Sequence, residues 1–126
     1  MDQQPVSEFK SKGGFRRIIA AFVNSIDGFQ AAWRSEYAFR QEVIVVLIAT
    51  VVALLLPVSA FQKVFLISVL LLVLLVEIIN SAIEAVVDRI SLDHHELAGR
   101  AKDLGSAAVF LSLVNVVAVW LIVLFG

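Results

Sequence analysis

Cysteine is absent from the 126-residue sequence, which removes disulfides, thiolate metal sites and cysteine nucleophiles together. No surplus of positive charge exists either: 10 Lys and Arg stand against 11 Asp and Glu, for a net charge of −1. Nothing in that balance points to nucleic acid. Neither a GxxxxGK(S/T) phosphate loop nor the signature set of soluble protein kinases occurs, so any nucleotide site must be of another design. The opening MDQQPVSEFKSKGG is polar and lacks the apolar core of a cleavable signal peptide. Apolar residues are what the chain has in excess. They make up 60% of a sequence of one-domain length, well above an ordinary soluble domain.

Residues 1–14 read as a short flexible lead ending in Gly13-Gly14. From Phe15 the pattern changes. Phe15, Ile18, Ile19, Phe22, Ile26, Phe29 and Trp33 fall within about 100° of arc on a helix, while Arg16, Arg17, Asn24 and Asp27 lie outside it. An amphipathic helix over about 15–34 with arginines on its polar side suits the membrane interface better than a soluble core. Three apolar runs follow, over about 37–57, 61–90 and 104–125, the first ended by Pro57. The predicted fold class is therefore an all-α membrane protein: one interfacial helix and three transmembrane helices.

Positive residues set the orientation. Lys10, Lys12, Arg16, Arg17, Arg34 and Arg40 precede the first span, and Arg89, Arg100 and Lys102 lie between the second and third. By the positive-inside rule the N-terminus and the 89–103 connection are cytoplasmic. The C-terminus is then periplasmic.

One stretch breaks the apolar pattern in an ordered way. Glu77, Asn80, Glu84 and Asp88 follow VFLISVLLLVLLV, which is apolar but for Ser68. At about 100° per residue the four lie within roughly 80° of one another. Carboxylates near the bilayer are costly, so an aligned row of them marks a functional site. Glu77 is the deepest and, with Glu84, the strongest candidate. Asn80 suits a bond between helices as well as a supporting site role. Asp88 fits an ordinary headgroup-level charge, solvated or paired with Arg89 or Arg100. Spans bearing Glu77 and Glu84 need neighbours to shield them, which argues for a homo-oligomer.

Around this row the sequence places Glu36, Arg40, Glu42, Asp93, His94, His95, Glu96, Arg100, Lys102 and Asp103. Phosphoryl transfer asks for positioning, metal ions, cations for phosphate and an acceptor for the hydroxyl proton. Two carboxylates from different helices can hold Mg²⁺ with ATP oxygens. Lys102 and Arg17 can pair with phosphates, and a deep carboxylate can take the proton of a lipid alcohol. Adjacent His94 and His95 have poor metal-ligand spacing and fit a surface or nucleotide contact better.

The segments EYAFRQE, VEIINSAIEAVVDRI and HHELAGRAKDLGSAAV together resemble the prokaryotic integral-membrane diacylglycerol kinase family, from about Phe15 to the C-terminus. That resemblance implies a homotrimer in the bacterial inner membrane, with sites between protomers. It implies transfer of the ATP γ-phosphate to diacylglycerol, giving phosphatidic acid for phospholipid metabolism and lipid recycling. Under it Glu77 resembles the general base, and Glu36 and Glu84 the metal-binding carboxylates, which also contact ATP. Lys102 and Asp103 resemble the nucleotide-binding KD pair, Arg17 a contact shared by ATP and lipid, and Asp93, His94, His95 and Asn24 further nucleotide contacts. Implied lipid contacts run through Ala21, Phe22, Val23, Asn24, Ser25 and Ile26, then Gln30, Ala31, Ala32 and Trp33. They continue through Ala38, Phe39, Arg40, Gln41 and Glu42 to Glu77, Ser106 and Trp120, with the first and third spans lining a lipid cleft. Two other functions stay open: an undecaprenol kinase on the same fold, and a small oligomeric ion channel ringed by Glu77 and Glu84. A purely structural assembly subunit is a further alternative.

Overall fold

The structure, a computed structural model, describes residues 13–90 and 95–126. It consists of helices α1 (Gly14–Ser35), α2 (Tyr37–Leu55), α3 (Ala60–Ile90) and α4 (Glu96–Phe125), with no strand among the described residues. Helices α2, α3 and α4 are each long and apolar enough to cross a membrane. The chain is an all-α membrane protein. Helix α1 lies in one compact unit, and α2 to α4 form a second, Glu36–Gly126.

Helix α1 exposes its apolar stripe. Phe15, Ile18, Phe22, Ile26, Phe29 and Trp33 are all accessible, as a helix lying in the headgroup region requires. Ser25 Oγ donates to the Ala21 carbonyl at 2.8 Å, so its hydroxyl is satisfied within the helix.

In the second unit α3 is central, with α2 and α4 packed on it. Buried residues recur at intervals of seven: Phe39, Val46 and Ala53 on α2, and Gly105 and Ser112 on α4. Seven residues make two turns, so each set forms one narrow seam along its helix. The seam of α4 is built from small residues, which let its backbone approach α3 closely. Farther along, Trp120 Nε1 donates to the Leu66 carbonyl at 3.3 Å.

The α2–α3 connection is fixed by local chemistry. Leu56 has extended backbone (φ −68°, ψ 144°), as a residue before proline prefers, and Pro57 cannot continue the helix. Lys63 Nζ donates to the Leu54 carbonyl at 2.7 Å, satisfying a terminal carbonyl of α2. Ser59 and Gln62 exchange reciprocal bonds, with the Ser59 N–H to Gln62 Oε1 at 3.0 Å and the Gln62 N–H to Ser59 Oγ at 3.1 Å. This is a capping box that starts α3.

Helix α4 begins at Glu96, well before the apolar run that starts near residue 104. Residues Glu96 to Asp103, read from the sequence as part of a connection, are helical. His95 caps the helix, its Nδ1 accepting the Leu97 N–H at 3.1 Å, and Glu96 pairs with Arg100 one turn on at 3.7 Å. A polar helical extension therefore carries Lys102 and Asp103. Asp93 and His94 lie outside the described residues.

Candidate active site

The buried residues of α3 are Leu66, Val69, Leu70, Val73, Glu77 and Asn80. The polar row continues the packing seam of the helix without a change of face. Burial falls along it: Glu77 is 7% exposed, Asn80 9%, Glu84 half-buried and Asp88 exposed. Glu77 is about 26 Å along the axis from Ala60, and Glu84 about 36 Å. A hydrocarbon core of about 30 Å entered at Ala60 would end between the two.

Glu36 joins this region through the backbone. Its extended conformation (φ −112°, ψ 102°) starts α2 and its carbonyl accepts the Arg40 N–H at 3.2 Å. Its carboxylate makes no capping bond among the described residues. Glu77 lies within electrostatic reach of Glu84, Glu36 and Glu42. Glu36 just before α2, Glu42 on α2, and Glu77 and Glu84 on α3 thus share one neighbourhood. Glu42 Oε2 is buried and has no hydrogen-bond partner among the described residues. Such crowding of anionic oxygens suits a site that receives protons and cations.

Below the carboxylates is an apolar cavity of about 260 Å³, lined by Glu42, Val46, Leu70, Val73, Leu113 and Val116. A second, of about 330 Å³, is lined by Val45, Ile48, Ala49, Val52 and Trp120, and shares Val45 with the first. Together they follow α2 away from Glu42 toward the far side of the membrane. Gln41 also lines the first cavity.

Other residues singled out in the sequence fall elsewhere. Phe39, an implied contact to the lipid substrate, is buried in the seam of α2, two turns from Val46. Trp120 lines the second cavity but spends its indole N–H on Leu66. Arg40 lies over the Tyr37 ring at 5.6 Å. Ala38 and Ser106 are exposed. On α1, Arg17 and Asn24 project from the polar side seven residues apart, whereas Ala32 is buried and Ala21 half-buried.

Asp88 differs from its expected local pairing. Its Oδ1 is 2.7 Å from Lys102 Nζ on α4, while Arg100 pairs with Glu96. Sequence reasoning also missed Gly105, whose only signal was a glycine inside a helical segment. Among the described residues no three His, Asp or Glu side chains are arranged to hold a metal by themselves.

A model of the prokaryotic diacylglycerol kinase family matches residues 23–124, most of the chain. The chain belongs to that family. It is 55% identical over 113 residues to the diacylglycerol kinase of Escherichia coli, covering 90% of this chain and 93% of the relative. Identity to the diacylglycerol kinase of Pseudomonas aeruginosa is 48% over 120 residues, covering 95% and 98%. The Haemophilus influenzae diacylglycerol kinase is 41% identical over 107 residues, covering 85% and 91%. Membership makes the chain a phosphotransferase of the diacylglycerol kinase kind.

Proposed function

We propose that the chain transfers the γ-phosphoryl group of ATP to the free hydroxyl of 1,2-diacylglycerol, giving phosphatidic acid and ADP. One observation carries the placement of this reaction. Glu77 is a buried carboxylate one helical turn along α3 from Val73, which lines the apolar cavity that Glu42 also lines. Acyl chains lie along α2 in the cavities, which brings the glycerol hydroxyl up to the carboxylates.

The hydroxyl oxygen bonds to the γ-phosphorus as the bond from that phosphorus to the leaving ADP oxygen breaks. The hydroxyl proton passes to a carboxylate oxygen of Glu77, which later returns it to water. A loose transition state asks little of the base beyond position. Glu36 and Glu84 would hold Mg²⁺, which would supply charge neutralisation to the transferring phosphoryl group. Their hard oxygens fit that ion, which binds through one or two carboxylates plus substrate phosphates. Lys102 serves the nucleotide phosphates as a cation, with Asp103 beside it, and His95 stands at the start of the same helix.

We assign the carboxylate end to the cytoplasmic side of the bacterial inner membrane, from the distribution of Lys and Arg. A homotrimer is the proposed assembly. Only 6% of the apolar window of α4 is buried within the chain, against 33% for α3, so its outer surface is open to lipid and to other copies.

The test is purified protein in micelles with γ-labelled ATP, Mg²⁺ and either diacylglycerol or undecaprenol. Label in phosphatidic acid is the expected result. Label only in undecaprenyl phosphate would change the substrate, and ion flux in vesicles without lipid labelling would replace the kinase reading by a channel.

A further inference from the structure

Gly105 and Asn80 meet across the α3–α4 interface more closely than any other residue than glycine would allow. Both are buried. A Cβ placed on Gly105 would overlap Asn80 Oδ1 and stand 3.2 Å from Asn80 Cγ. No other described glycine of helices α1 and α4 meets such an obstacle: Gly28 and Gly99 have open space where a Cβ would go. The space above the Gly105 Cα is therefore filled by the carboxamide of Asn80.

The two ends of that carboxamide have different surroundings. Oδ1 points at Gly105, is buried and accepts no hydrogen bond among the described residues. Nδ2 donates to Glu84 Oε1 at 3.5 Å, one turn farther along α3. An ionised carboxylate only accepts, so the nitrogen end is the one that Glu84 favours. The reverse orientation would set two acceptor oxygens against each other. A notch in α4 thus receives the oxygen while the nitrogen is presented to Glu84.

We propose that Gly105 is a positioning residue for phosphoryl transfer: its missing side chain makes the notch that holds Asn80 turned toward Glu84. Through Asn80 it fixes the carboxylate that the reading above gives to the metal–nucleotide, and in that respect the inference rests on that reading. Residues that hydrogen-bond a metal-ligating carboxylate orient it, and their loss costs about 10- to 100-fold in metal affinity or activity. A methyl group at Gly105 displaces the amide and with it the hydrogen bond. The close approach of the helices is then a condition of the chemistry as well as of packing.

A double-mutant cycle of Gly105→Ala, Asn80→Ala and the pair tests this in purified full-length protein. Two quantities are read: thermal stability in micelles, and binding of Mn²⁺ by electron paramagnetic resonance with a non-hydrolysable ATP analogue. Gly105→Ala is expected to weaken Mn²⁺ binding about tenfold, Asn80→Ala by a similar factor, and the pair no more than Asn80→Ala alone. Equal Mn²⁺ affinity in Gly105→Ala and the unmodified chain would overturn the proposal, as would effects that multiply in the double variant. Should Gly105→Ala alone fail to fold, folding of the double variant supports the notch and its continued failure contradicts it. Glu84→Gln separates the two layers. If it leaves Mn²⁺ affinity unchanged, the assignment of Glu84 to the metal fails, while non-additive stabilities of Gly105 and Asn80 still report the notch.

Discussion

Lys102 Nζ on α4 stands 2.7 Å from Asp88 Oδ1 on α3, joining the polar ends of the two helices that frame the site. Side chains of the pair are 44% and 53% exposed, so water and salt screen it and a competing anion can displace Asp88. Lys102 is thereby held beside the carboxylates yet is able to change partners. In steady-state kinetics Lys102→Met is expected to raise the KM for ATP about tenfold or more, the loss of one charge-assisted hydrogen bond. Asp88→Asn is expected to change that KM less than threefold and to leave the thermal midpoint nearly unmoved. Equal effects of the two variants would place Lys102 in a structural role.

Leu113 on α4 lines, with Val46 and Val73, the apolar cavity beneath Glu42. Filling that space with Leu113→Trp leaves less room for an acyl chain. The expected result is a KM for diacylglycerol raised several-fold and more so for long acyl chains, with the KM for ATP unchanged. An unchanged lipid KM would show that the acyl chains run elsewhere.

The indole N–H of Trp120 bridges α4 to the Leu66 carbonyl on α3. Trp120→Phe keeps an aromatic ring but loses this bond. It is expected to cost about 1 kcal/mol of stability in chemical denaturation from micelles, with turnover on saturating lipid close to that of the unmodified chain. A large fall in turnover without loss of stability would contradict a packing role for this bond.

Helical period made much of this molecule legible. The row from Glu77 to Asp88 was visible because residues spaced three and four apart share a face, and Pro57 marked the end of α2. Hydropathy served α4 less well. Its start is set by the cap at His95 and the Glu96–Arg100 pair, neither of which is apolar. Contacts between helices were the least legible. Whether Asp88 meets Arg89, Arg100 or Lys102, and whether Asn80 faces a glycine, depends on how α4 slides against α3, a register that one chain's pattern does not encode. Phe39 shows the same limit from the other side, since an aromatic near the interface suits lipid and seam equally. The proposed pairing of Glu36 with Glu84 rests on the resemblance, since spacing alone leaves it open.

The most direct measurement is the turnover of Glu77→Gln in purified protein, taken together with its thermal midpoint and its binding of Mn²⁺ with an ATP analogue. Glutamine keeps the shape and polarity of the buried side chain but is not a base. The predicted result is a fall in turnover of about 10²- to 10⁴-fold, the usual contribution of a general base, with the midpoint and nucleotide binding preserved. Retention of more than about a tenth of the turnover would contradict the assignment of proton transfer to Glu77.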